Sequence, residues 1–229
     1  MTNNRTQIVA QILAALSSAA RPSAAAELLA VSKGQTAEAV ADLLAEGQRA
    51  FGENRVQEAE TKFSTLRQNH PDIRLHLIGP LQTNKVKAAL DLFDVIETVD
   101  RPSLVEALGK ECAKRGRQPG LFIQVNTGAE AQKSGVLPAD LPSLLAHCAE
   151  AGLRISGLMC IPPLEDESCL HFAFLAELAK RHDLGKLSMG MSHDFGMALR
   201  YGSTEVRIGT ALFGSRGQTQ SGDRDAVRL

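Results

Sequence analysis

Apolar residues along the chain alternate between two rhythms. Short, nearly unbroken apolar runs occur at 27–32 (ELLAVS), 49–52 (RAFG), 74–78 (RLHLI), 95–99 (VIETV), 121–125 (LFIQV), 155–160 (ISGLMC), 186–191 (KLSMGM) and 205–208 (EVRI). Each suits a strand buried on both faces. Between them, apolar residues recur at helical spacing over 36–46, 55–68, 84–90, 103–115, 139–151 and 168–182. Ahead of the first strand, Ile8, Ile12, Leu13 and Leu16 mark an amphipathic helix over about 2–20. Strands that alternate with helices imply a parallel sheet, because a parallel crossover needs a helix-length connection. Eight such units predict an α/β fold of the (β/α)8 TIM-barrel type. The whole chain, 1–229, is then expected to be one domain with a polar tail at 217–229. A doubly wound sheet is the alternative, but no GxGxxG follows the first strand and there is no Walker A sequence.

Composition narrows the function classes. The 229 residues are 44% hydrophobic and 22% charged, as in an ordinary globular protein of barrel size. A net charge of −1 supplies no basic field for nucleic acid or an acidic membrane surface. With no Trp and one Tyr, the chain is poorly equipped to stack on bases. Cys112, Cys148, Cys160 and Cys169 show neither CxxC nor metal-ligand spacing, so no metal is expected and a reducing, cytoplasmic setting is. No signal peptide and no membrane-spanning stretch is legible.

In a barrel of this kind chemistry gathers where the strands end. Lys33 follows the first strand, Gly52-Glu53-Asn54 the second, Gly79-Pro80 the third, Ser192-His193-Asp194 the seventh and Gly209-Thr210 the eighth. Lys33 has two readings. Partly desolvated at the mouth, its amine becomes a nucleophile toward aldehydes; otherwise it snorkels to water. Ser192, Gly209 and Thr210 offer a hydroxyl and backbone N–H groups where barrels commonly hold phosphate. The eighth strand closes against the first, so lysine and cradle become neighbours. Pyridoxal 5′-phosphate carries both an aldehyde and a phosphate. Arg207 would then face the pyridine nitrogen and hold it unprotonated, or else serve an ordinary ion pair.

The segments LLAVSK, FGENRVQEAETK, HLIGPLQTNK, VNTGAEAQKSG, ISGLMCIPP, SMGMSHDF and GSTEVRIGTALFG together resemble the pyridoxal phosphate homeostasis protein family, over about residues 27–216. The resemblance implies a fold-type III barrel similar to the N-terminal domain of alanine racemase. It implies that Lys33 carries pyridoxal 5′-phosphate as a Schiff base, an internal aldimine. It further implies phosphate contacts from Ser192, Gly209 and Thr210, a pyridine-nitrogen contact from Arg207, and Asn54 and Met159 lining the pocket. Such proteins carry or buffer the cofactor in vitamin B6 and amino-acid homeostasis, with apo forms of cofactor-dependent enzymes as recipients. Two departures stand beside the site: Arg55 where the family often has Tyr, and Gly34-Gln35-Thr36 in place of Thr-x-Pro.

A weakly active amino-acid racemase is the alternative. Racemisation needs an acid/base group on each face of the substrate carbon. The chain's one tyrosine, Tyr201, is expected near the rim, and Cys160 and His193 are the other surrogates. No second β-domain follows to deliver a base across a dimer. A monomeric binding protein with no robust turnover and no catalytic residues is therefore favoured. Lys85, Lys87 and Lys133 read as a solvated helix face, or as a basic rim that helps hand the cofactor on.

Overall fold

The chain is described by a computed structural model over residues 4–214. Every apolar run becomes a strand: β1 Glu27–Val31, β2 Ala50–Glu53, β3 Arg74–Leu77, β4 Val95–Val99, β5 Gly120–Gln124, β6 Gly157–Met159, β7 Lys186–Ser188 and β8 Glu205–Ile208. All neighbours pair in parallel, and β8 closes on β1 through Leu29 opposite Arg207 and Ala30 opposite Ile208. The expected closed barrel is present.

The crossovers are helical, as the spacing requires: α2 Ala37–Ala45, α3 Val56–Asn69, α4 Val86–Leu92, α5 Pro102–Arg115, α6 Leu141–Glu150, α7 Ser168–Arg181 and α8 Phe195–Arg200. The N-terminal amphipathic stretch is α1, Asn4–Ser18, which buries Ile8, Ile12 and Leu16 and packs on α8 and on the four-residue α9, Thr210–Phe213. Arg21 locks the chain between α1 and β1, donating from Nη1 to the carbonyls of Leu199 (2.7 Å) and Ser203 (2.8 Å). No helix among the described residues is long and apolar enough to cross a membrane. The polar tail at 217–229 lies outside the described residues.

Strand alternation divides the core into two layers. Leu28 and Ala30, Leu75 and Leu77, Leu121 and Ile123, and Val206 and Ile208 pack outward in the main hydrophobic cluster. The intervening positions, including Leu29, His76, Phe122 and Arg207, fill the inside of the barrel, and all are buried. Two strands are shorter than their apolar runs by three residues. Residues 155–160 reduce to Gly157–Met159, and 186–191 to Lys186–Ser188. Regular β7 ends at Ser188, although Met189 N and Gly190 O still bond to β8; Gly190 takes φ 95° and the chain turns there, Asp194 Oδ1 accepting from Met191 N at 2.6 Å. Ser192 therefore lies in a loop beyond β7 and does not end the strand.

Candidate functional site

Lys33 sits in a tight turn just past β1. Gln35 N donates to Ser32 O at 3.0 Å, and Gly34 takes φ 70°, a left-handed conformation that suits glycine at the third position of such a turn. Thr36 then caps α2, its Oγ1 accepting from Ala39 N at 3.2 Å. Gly34-Gln35-Thr36 is thus a complete turn-and-cap signal. Lys33 is exposed, as in the second of its two readings, in which the side chain reaches water. The turn carries it one step beyond the apolar strand end, clear of the low-dielectric interior.

Arg207 of β8 projects inward and is only 4% exposed. Its Nη1 donates to Ser188 Oγ (2.7 Å) and its Nη2 to Cys160 O (2.7 Å), so the guanidinium spans from β8 toward β6. Arg55, by contrast, is exposed just before α3. Gly209 and Thr210 follow β8 directly. A Cβ on Gly209 would stand 3.3 Å from Val31 O, so glycine lets the end of β8 pack closely on β1. Asn54 follows β2, and a Cβ on Gly79 would come within 2.3 Å of Asn54 O; only glycine lets these two strand ends meet. Met159 is fully buried in β6. The seven residues of the expected site therefore all lie at strand C-terminal ends or just beyond them. Lys33, Asn54, Arg207, Gly209 and Thr210 come from the contiguous strands β2, β1 and β8.

Beneath Arg207 lies a polar network that the sequence reading did not single out. Ser188 Oγ donates to Glu97 Oε2 at 2.6 Å, and His76 Nδ1 lies 2.8 Å from Glu97 Oε1 and 3.1 Å from Glu205 Oε1. All are buried. Burial alone would depress the His76 imidazole, but the carboxylates of Glu205 and Glu97 overcome it and raise its pKa to about 10. Burial pushes the Glu205 carboxyl up, and the neighbouring Glu97 charge pushes it further. Burial also opposes ionisation of Glu97, but hydrogen bonds from its neighbours, His76 first, hold it well below the usual carboxylate range. The signal was present as single charged residues inside apolar strands: His in RLHL, Glu in VIETV, Glu and Arg in EVRI.

The candidate second bases fare poorly. Tyr201 follows α8 and precedes β8, at the barrel end where strands begin, and not at the rim expected of it. The Cys160 thiol is fully buried, and burial pushes it up to about 12. His193 is exposed in the β7–α8 loop, 3.4 Å from Asp194 Oδ2. Of the three rim lysines, Lys133 is neutralised by Glu130 at 2.5 Å and reaches Pro162 O at 3.4 Å. Lys85 is half-buried beside the first turn of α4, and Lys87 is exposed.

The family model for the alanine racemase N-terminal domain matches residues 7–217. The pyridoxal phosphate homeostasis protein of Vibrio cholerae is 40% identical over 224 residues, covering 93% of this chain and 95% of the relative. That of Pseudomonas aeruginosa is 41% identical over 225 residues, covering 94% and 96%. Among solved structures, PipY of Synechococcus elongatus with pyridoxal 5′-phosphate bound has 40% identity and a TM-score of 0.76, covering 90% of this chain and 100% of that one. The alanine racemase of Clostridium difficile shares the fold, with a TM-score of 0.65 at 14% identity over 90% of this chain and 56% of the racemase.

Proposed function

The chain belongs to the pyridoxal phosphate homeostasis protein family, and on that premise we propose that it binds pyridoxal 5′-phosphate at the barrel mouth and carries or buffers it. The observation that carries this reading is the seam between β1 and β8, where an exposed primary amine and a glycine packed closely against β1 stand over a buried guanidinium inside the barrel. The donor set fits the group: hydroxyls of Ser192 and Thr210 without a protein partner among the described residues, and the backbone N–H of Thr210 where α9 begins. When bound, the cofactor supplies an aldehyde that condenses with a primary amine. Lys33 is the amine. Ser192, Gly209 and Thr210 hold the phosphate, and Asn54 and Met159 border the ring. Arg207, always charged, donates toward the ring nitrogen and keeps a proton off it. That orientation weakens the ring as an electron sink, which suits storage over turnover.

The protein works as a monomer in the cytoplasm and passes the cofactor to apo-enzymes. Its four cysteines are free thiols, three of them buried, as suits a reducing compartment. Weak racemisation is the second reading, and the burial of Cys160 and the remote place of Tyr201 tell against it. The test is to load the protein with pyridoxal 5′-phosphate, remove free ligand by gel filtration, and mix it with an apo-form cofactor-dependent enzyme. Retention of about one equivalent and recovery of the recipient's activity are expected, with no amino-acid racemisation. A protein that emerges free of cofactor would overturn the proposal.

A further inference from the structure

The segment FGENRVQEAETK contributes Asn54 to the site, and its remaining polar residues are otherwise unexplained. Three of them, Glu53 on β2 and Glu58 and Lys62 on α3, converge behind the end of β1. Lys62 is buried, its side chain 6% exposed, and Glu53 is fully buried. The Lys62 ammonium donates to Ser32 O at 2.6 Å, to Glu53 Oε1 at 2.7 Å and to Glu58 Oε1 at 3.2 Å. The same Glu53 oxygen accepts from Ser32 Oγ at 2.6 Å. Glu58 Oε1 accepts from the backbone N–H of Gly34 at 2.5 Å.

Every one of these bonds either joins the cluster to itself or ends on the residue before or after Lys33. Ser32 is held by its carbonyl and its hydroxyl, and Gly34 by its N–H. Stability alone gives little reason for the arrangement, since a buried ion pair is frequently no better than apolar residues of the same volume. Fixing a reactive amine gives a good one, because reaction rate depends steeply on the position of the reacting atoms.

We propose that Glu53, Glu58 and Lys62 form a positioning clamp that holds the Ser32–Gly34 turn and so aims Lys33 at the cofactor's aldehyde. The clamp rests on the reading that Lys33 is the attachment point. It lies outside the barrel, between the sheet and α3, and touches the cofactor through Lys33 alone. These three are therefore positioning residues and take no part in binding the phosphate.

The test uses the full chain and the variants Lys62→Met and Glu58→Gln. Two quantities are measured: the rate at which pyridoxal 5′-phosphate becomes fixed to Lys33 by borohydride, and the affinity for pyridoxamine 5′-phosphate, which has an amine in place of the aldehyde and cannot condense with lysine. A clamp predicts that fixation slows by on the order of ten- to a hundred-fold while pyridoxamine 5′-phosphate affinity is unchanged. Glu58 is half-exposed, so Glu58→Gln carries the test if Lys62→Met does not fold. Unchanged fixation in the folded variants would overturn the clamp alone, as would a parallel loss for both ligands. Absence of fixation in the unaltered protein would remove the attachment point itself, and the clamp with it.

Discussion

His76 is the residue on which the barrel interior turns. An imidazole 3% exposed should be neutral, yet two carboxylates within hydrogen-bond reach hold it charged. Glu97 then links it through Ser188 to Arg207. The consequence for stability has a definite sign. The folded-state values of His76 and Glu205 lie above their ordinary 6.5 and 4.5, so the folded protein binds these protons more tightly than the unfolded chain. That contribution is complete below 4.5 and is lost as pH rises, the His76 part persisting to about 10. Glu97 acts the other way, stabilising above 4.5 and losing its contribution as pH falls. Thermal unfolding across pH should therefore show the melting temperature of Glu205→Gln falling less with rising pH than that of the unaltered protein. Parallel curves for the two would show that Glu205 does not titrate in this way.

At the scale of the elements, the site is made by strand ends that approach closely. Gly79 after β3 lies against Asn54 after β2, and an added methyl would meet Asn54 O at 2.3 Å. A backbone atom cannot swing aside as a side chain can. Gly79→Ala is expected to cost about 1–3 kcal/mol in overpacking and to weaken cofactor binding through Asn54, read by denaturant unfolding and by ligand titration of one sample. Retention of both would mean that the strand ends separate freely. The elements themselves were legible, because eight apolar runs bounded by turn residues left few other folds. The shortened β7 was not: KLSMGM keeps its apolar character past Ser188, and the break comes with the φ of 95° at Gly190, which the apolar pattern does not show. The six-residue α8 was equally hidden, being too short to show a period. Arg207 could be read from its place near the end of β8, and Lys33, Gly209 and Thr210 from their places just after strands. The Lys62–Glu58 spacing of four was visible as a helical pair, but the partners Glu53 and Ser32 of Lys62, and Glu97 and Glu205 of His76, lie on other elements, and only the fold brings them together.

At the scale of the whole molecule, closure is what makes a site. Lys33 and Gly209 lie near opposite ends of the sequence, yet β1 and β8 are hydrogen-bonded neighbours. The interior beneath them combines Leu29 and Phe122 with a charged network, so the floor of the mouth is both packed and polar. A ligand that engages both sides of the seam binds only the closed state. Cofactor at about 100 times its Kd should then stabilise the fold by about 2.7 kcal/mol, observed as a raised melting temperature that Lys33→Ala and Arg207→Ala each diminish. The most direct measurement is borohydride reduction of the cofactor-loaded protein followed by peptide mass mapping. A pyridoxyl group on the peptide containing Lys33, and no label in Lys33→Ala, is the expected result. Label on a different lysine, or a Lys33→Ala protein labelled as fully as the unaltered one, would contradict the assignment of Lys33 as the anchor.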